Sequence, residues 1–413
     1  MSATRTYTAL AIGLLMSATL WSQTAPDQAL TLEQCLTIAL EQNPLVLSSM
    51  QREKAAMARI EKATAYPFPS IDFNSDLEPQ PLNFAGTRES YLGVSQALEL
   101  PRKRTNRGEI AESESREVGM DTELLKREIA FLVKEAFYEL LLVKEKIIYA
   151  KQNQELAEDY LQKAQLKLAA GDVAQVEVLR ARVEGLRAAN AVKVAISEES
   201  LAKARLNFFL ARRKTAPLEI VGQLQRPFLE LDLNKLQQEA FSRRPELKRL
   251  SYSIERESRI REGARLSIWP DLGVNLSHHY LQGDPTSWSF SVSVPLSFLF
   301  RQRQKAEIAE AQANISSLQR EVDHMRDTIV MEVEEACTNA QTARDQILLY
   351  KDEVLPQAEE AYNMFLFSYQ EGEIGGIELI EARKTLNEAR KAYADALYGY
   401  AVTLASLDKA IGR

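Results

Sequence analysis

The sequence predicts an α+β membrane protein in which long helical hairpins carry four short transmembrane β-strands, built as two copies of one unit. Heptad-spaced apolar residues run through stretches free of proline. Four short segments alternate apolar with polar residues. One glycine-containing motif occurs twice, far apart in the chain.

The duplication sets the architecture. "AGDVAQVEVLRAR" (170–182) and "EGEIGGIELIEAR" (371–383) align without a gap at an offset of 201 (372 − 171), sharing Gly171/Gly372, Glu177/Glu378, Ala181/Ala382 and Arg182/Arg383. "LTLEQCLTIALEQNPLVL" (30–47) is matched by "LDLNKLQQEAFSRRPELKRL" (231–250), with Pro44 facing Pro245 at the same offset. Pro69 faces Pro270, and "GEIAES" (108–113) meets "AEIAEA" (306–311) after a small indel. The expected organisation is a leader over 1–23, a first repeat over 24–228 and a second over 229–413. The repeats place β-hairpins at about 69–100 and 270–298, and helical-hairpin tips near 171 and 372.

The leader reads as a signal peptide. Arg5 supplies a basic start, "YTALAIGLLMSATLW" an apolar core, and Ser22 to Ala25 a small or polar stretch suited to cleavage. That core is shorter than the roughly 20 residues of a spanning helix, and no later run is apolar enough to span. A chain so exported that crosses a membrane would do so without apolar helices. The formal charge of −7 carries no basic stripe, which argues against nucleic acid as a partner. Cys35 and Cys337 occupy non-equivalent places in the two repeats and show no metal-binding spacing, so a disulfide is allowed but not implied and they read as packing residues.

The helices come next. From Arg102 to Ala170 there is no proline. Ile129, Ala136, Val143, Ala150, Ala157 and Ala164 form one line at every seventh position. Val133, Leu140, Ile147, Gln154, Leu161 and Leu168 form its neighbour. A helix of that extent is roughly 100 Å long at about 1.5 Å per residue. The second copy expects Ile329, Ala336, Ala343, Tyr350, Gln357 and Met364 beside Val333, Ala340, Ile347, Val354, Ala361 and Ser368. Gly171 and Gly372 suit the left-handed residue that ends a helix, so each motif is expected to be a hairpin tip. A phosphate loop would need a preceding strand and a following Lys-Ser/Thr, and neither is present.

The strands alternate with period two. Trp288, Phe290, Val292, Val294 and Leu296 oppose Ser289, Ser291, Ser293 and Pro295; Leu272, Val274, Leu276, His278 and Tyr280 oppose Asp271, Gly273, Asn275, Ser277 and His279. The first copy offers Ile71, Phe73 and Leu77, then Leu92, Val94 and Leu98. Segments of about ten such residues fit transmembrane strands, with Tyr91, Tyr280 and Trp288 suited to an interfacial girdle. The joining loops "EPQPLNFAGT" and "QGDPTS" are polar turns. A soluble sheet buried on one face shows the same alternation. The leader favours the membrane, where four strands cannot close a barrel and an open edge is not tolerated. Three chains would pool twelve strands, within the range of known barrels.

In this order and duplication the sequence resembles the TolC-like outer-membrane efflux channels, over essentially the whole exported chain. The resemblance rests on Pro44 and Pro245, on strands that run into basic helix starts ("VSQALELPRKR", 94–104; "VSVPLSFLFRQRQ", 292–304), and on the two tip motifs. It implies a homotrimer with a twelve-stranded barrel in the outer membrane and a helical barrel reaching into the periplasm. It implies as partners outer-membrane lipid, a periplasmic adaptor (membrane fusion protein) and an inner-membrane pump. "QALELPRKR" is similar to members that serve metal-cation efflux. By position, Glu378 and Glu381 fall where the family places acidic rings at the periplasmic constriction. They share a helix face at i and i+3, and in a trimer would become carboxylate rings favouring cations. Glu177 and Tyr369 match positions where hairpins are locked by hydrogen bonding, while the family's gating Arg position holds Ile374. Gly171, Asp172, Val173, Gly372, Glu373 and Ile374 would meet the adaptor.

No catalytic site or cofactor is expected. His278 and His279 are neighbours in a strand and point to opposite faces, His324 has Thr328 rather than a ligand one turn on, and no nucleophile–base arrangement is legible. The expected function is a passive exit duct of a three-part efflux machine, with metal cations or drugs as the cargo classes. The rival is a periplasmic coiled-coil adaptor or scaffold, which would bury its alternating strands in a small soluble barrel.

Overall fold

The computed structural model describes residues 29–75, 89–281 and 283–413. The expected leader, the turn at 78–87 and the first residue of the second turn lie outside the described residues. Helices α1 (Leu32–Gln42) and α2 (Pro44–Thr64) lead to strands β1 (Ser70–Ser75) and β2 (Glu89–Leu98), then to α3 (Pro101–Ala170) and α4 (Gln175–Phe209). The order repeats with α5 (Leu233–Arg243), α6 (Pro245–Leu266), β3 (Leu272–Leu281), β4 (Ser287–Ser293), α7 (Arg301–Leu349), α8 (Leu355–Glu371) and α9 (Gly376–Ile411).

Local chemistry explains the starts. Thr31 and Gln34 form a reciprocal capping box on α1. Asn43 ends α1 and caps α2 by accepting from Leu45 N–H, while its Nδ2 donates to Phe209 O at 3.1 Å. Pro44 and Pro245 sit in the first turn of their helices, where a missing N–H costs nothing. At the place equivalent to Asn43, the buried Arg244 donates to Glu246 and Glu332, and Glu246 also accepts from Arg127. This ion cluster ties α3, α6 and α7 together.

The α3 seam is buried as the heptads require: Ile129, Ala136, Val143, Ala150, Ala157 and Ala164 all face neighbouring helices. Around its middle, Val133, Phe137 and Leu140 pack with Cys35, Val46, Leu206 and Ile220 in the main core. Both cysteines are free and buried, and burial pushes the Cys35 thiol up to about 11.

The second seam departs from expectation after Ile347. Gln357 and Met364 are exposed, and Ala358, Tyr362 and Tyr369 are buried instead. Residues Tyr350–Val354 form a π-turn in which Leu355 N–H bonds back five residues to Tyr350 O. Pro356 follows directly; it has no N–H to donate and its ring opposes the carbonyl four residues earlier. One extra residue in the turn slips the buried face by one place.

The four strands form one antiparallel sheet, in the order β1-β2-β3-β4. The register sorts its side chains cleanly. Ile71 pairs with Val94, Val94 with Leu276 and Leu276 with Phe290, all on one face. On the other face Ser70 pairs with Ser95, Ser95 with Asn275 and Asn275 with Ser291. The polar face is internally bonded: Ser70 and Ser95 hydroxyls meet at 2.6 Å, and Asn275 Nδ2 donates to Asp72 Oδ2 at 3.2 Å. The apolar face is covered by nothing among the described residues, with Trp288 and Phe290 about 70% exposed. Strand β4 ends at Ser293, short of the expected Val294 and Leu296, because Pro295 cannot donate to a ladder. Edges β1 and β4 have no partner strand among the described residues, and no described helix is long and apolar enough to cross a membrane.

Candidate functional site

The site lies at the hairpin tips, at the far end of α3 from the sheet. Both tips are built alike. Gly171 (φ 86°) and Gly372 (φ 81°) take the left-handed conformation. Gly171 N–H bonds Leu168 O at 3.0 Å and Asp172 N–H bonds Lys167 O at 2.9 Å; Gly372 and Glu373 make the equivalent bonds to Tyr369 O and Ser368 O. These paired bonds satisfy the last carbonyls of α3 and α8. Gly171, Asp172, Gly372 and Glu373 are exposed, whereas Val173 and Ile374 are half-buried. Ile374 packs on the tip core with Leu379 and Tyr369.

The two hairpins meet through a small core in which Ala164, Ala181, Ala382 and Ala389 accompany Tyr160, Tyr362 and Tyr369. Within it Tyr369 Oη donates to Glu177 Oε1 at 2.7 Å, across a sequence separation of 192. Burial, then the bonded Glu177 carboxylate, hold the Tyr369 phenol far above its ordinary range, so it stays a donor at any physiological pH. Tyr160 packs edge-on against Tyr369 at 5.5 Å, and burial followed by Glu177 pushes its phenol up to about 12. Gly376 lets α9 come this close: a Cβ there would stand 2.0 Å from Tyr160 Oη and 2.9 Å from Glu177 Oε1. Lys167 spans the two tips, donating to Gln370 O at 3.2 Å and lying 5.1 Å over the Tyr369 ring.

The ten residues singled out in the sequence thus fall into separate sets. Glu177 and Tyr369 are joined directly between the hairpins. Glu378 and Glu381 are exposed on α9, at the border of the stripe that buries Leu379 and Ala382. The turn residues form the outer caps. Sequence reasoning missed Tyr160, Lys167, Gly376 and a buried polar contact higher up: Arg383 Nη1 donates to Asn153 Oδ1 at 2.7 Å and Nη2 to Glu184 Oε2 at 2.8 Å. The heptad spacing of Gly376, Arg383 and Arg390 on α9 was the available signal. Among the described residues, no three His, Cys, Asp or Glu side chains are grouped to hold a metal ion.

Comparison with known proteins agrees in family and in fold. The outer membrane efflux protein family model matches residues 35–213 and again 236–413. The cobalt-zinc-cadmium resistance protein CzcC of Cupriavidus metallidurans is 24% identical over 397 residues, covering 93% of this chain and 90% of that protein. The outer-membrane channel OprN superposes with a TM-score of 0.77 at 16% identity, covering 92% of this chain and 89% of that one. The open state of the Neisseria gonorrhoeae outer-membrane channel MtrE gives 0.76 at 15% identity, covering 92% and 88%.

Proposed function

The chain belongs to the outer membrane efflux protein family, and we propose that it is the passive exit duct of a tripartite efflux machine, assembled as a homotrimer in the outer membrane. The observation that carries this reading is the two-faced sheet whose two edges are unpaired among the described residues. In lipid every strand edge must be paired, so a four-stranded piece is completed only by further copies. Three copies give twelve strands, with the Ser and Asn face turned to a water-filled lumen and the Trp288 and Phe290 face to lipid. An adaptor or scaffold has no use for an apolar sheet face left bare, so that alternative is not favoured.

The helical tunnel then extends into the periplasm, and its tips meet a periplasmic adaptor coupled to an inner-membrane pump. In this reading residues 24–228 and 229–413 are structural repeats that place alternating hairpins around one ring, with no cofactor and no catalytic step. Glu177 and Tyr369 close the periplasmic end, and Glu378 and Glu381 line it as carboxylate rings. Gly171, Asp172, Val173, Gly372, Glu373 and Ile374 form the adaptor-facing caps. The cargo class we assign is cationic, including divalent transition-metal ions, which fits the acidic rings and the likeness to a cobalt-zinc-cadmium resistance protein.

Bilayer recordings of the purified protein test the ring assignment. Glu378→Gln with Glu381→Gln removes six carboxylates from a trimer (two in each of three copies), and cation preference is expected to fall clearly because a ring acts through its summed charge. Unchanged ion selectivity would place these side chains away from the conduction path.

A further inference from the structure

We propose that Arg383 is the latch that holds the two hairpins together at the periplasmic end, making from a deeper position on α9 the cationic contact that Ile374 cannot make. The proposal rests on the reading of the tip as a gate. Arg383 is 5% exposed, and its guanidinium reaches both helices of the other hairpin, Asn153 on α3 and Glu184 on α4. Glu184 lies one heptad beyond Glu177, so Arg383–Glu184 and Tyr369–Glu177 are successive rungs on one face of α4. A third rung joins Arg390 to Gln152 at 3.1 Å. Between the rungs Ala157, Ala164, Ala181, Ala382 and Ala389 are buried beside the larger Tyr160, Tyr362, Leu379 and Leu386. The polar rungs cross this packed seam and are the directional contacts that must break when the hairpins part.

The chemistry suits a contact that must open. A buried ion pair gains little net stability over an apolar pair, yet removing one partner strands the other charge and is strongly unfavourable. Arg383 Nε is buried without a hydrogen-bond partner, so the guanidinium is incompletely satisfied when the tip is closed. Arg187 already holds the second oxygen of Glu184 at 2.9 Å and is itself largely exposed, so Glu184 keeps a solvated partner when the hairpins separate. Closing is favoured only modestly, and a docked partner can reverse it. The repeat-equivalent Arg182 is exposed, so within one chain the latch is made once.

The test is single-channel conductance of the full-length protein in planar bilayers, alongside the size of the detergent-extracted particle. Arg383→Gln is expected to raise resting conductance several-fold with particle size unchanged, and Arg383→Glu combined with Glu184→Arg to return it towards the wild-type level. Tyr369→Phe is the reference for the gate. If it raises conductance while Arg383→Gln stays at the wild-type level, the latch is refuted and the gate reading stands. If neither moves conductance, the gate reading falls and the latch with it. Glu184→Gln, at a position less buried than Arg383, carries the same expectation and decides the matter should Arg383→Gln fail to assemble.

Discussion

Phe290→Arg is expected to abolish insertion and assembly, whereas Ser291→Arg, one residue on, is expected to leave both intact and alter only conduction. The register assigns the two side chains to opposite faces: Phe290 pairs with Leu276 on the apolar side, and Ser291 with Asn275 on the polar side. An arginine facing lipid near the bilayer midplane costs about 2–4 kcal/mol, falling toward the interfaces. Three copies would place about 6–12 kcal/mol on one barrel, comparable to the whole stability of an ordinary domain. An arginine in the lumen stays hydrated and incurs no such cost. The check is the amount of folded particle recovered from outer membranes for each variant. Equal recovery of the two would mean that both faces meet water.

The second large effect is expected at the tip. Gly372→Pro should abolish efflux in cells while assembled trimers are recovered at normal levels. Gly372 has φ of 81°, and proline is confined near −65°. Its N–H also bonds Tyr369 O, the backbone of the residue whose hydroxyl holds Glu177. The substitution therefore removes a turn conformation and a hydrogen bond together, next to the Tyr369–Glu177 contact. The tip lies roughly 100 Å from the sheet by the length of α3, so barrel assembly should not register the change. Gly171→Pro, with φ of 86° and the equivalent bond to Leu168 O, carries the same expectation. Normal resistance in these strains would contradict the placement of the glycines at an adaptor-facing cap.

What was legible in the sequence was local or periodic. A heptad without proline specifies a continuous helix, and α3 runs unbroken from Pro101 to Ala170. Period-two alternation specifies which side chains share a sheet face, and the cross-strand pairs of Ile71, Val94, Leu276 and Phe290 follow from it. The seam beyond Ile347 was misplaced although Pro356 stood in plain view, because a heptad count assumes a constant number of residues per turn. The π-turn breaks that assumption. Tyr369 and Glu177 could be paired only through the family resemblance, since nothing local links residues separated by 192 positions. Arg383 was legible only as a repeat-matched residue seven places from Gly376 and Arg390, not as a buried contact. On a charged helix one arginine looks like the rest, and its burial depends on Asn153 and Glu184, contributed by the other hairpin.

The measurement that bears most directly on the account is the size and compartment of the native particle. Cells are fractionated, outer membranes are extracted in detergent, and the mass of the protein in the detergent complex is determined. The account predicts three chains, recovered from the outer membrane alone. A single chain released in water-soluble form from the periplasm would contradict it, because the bare face of Phe290 and the open edges of β1 and β4 would then have no lipid and no partner copy to cover them.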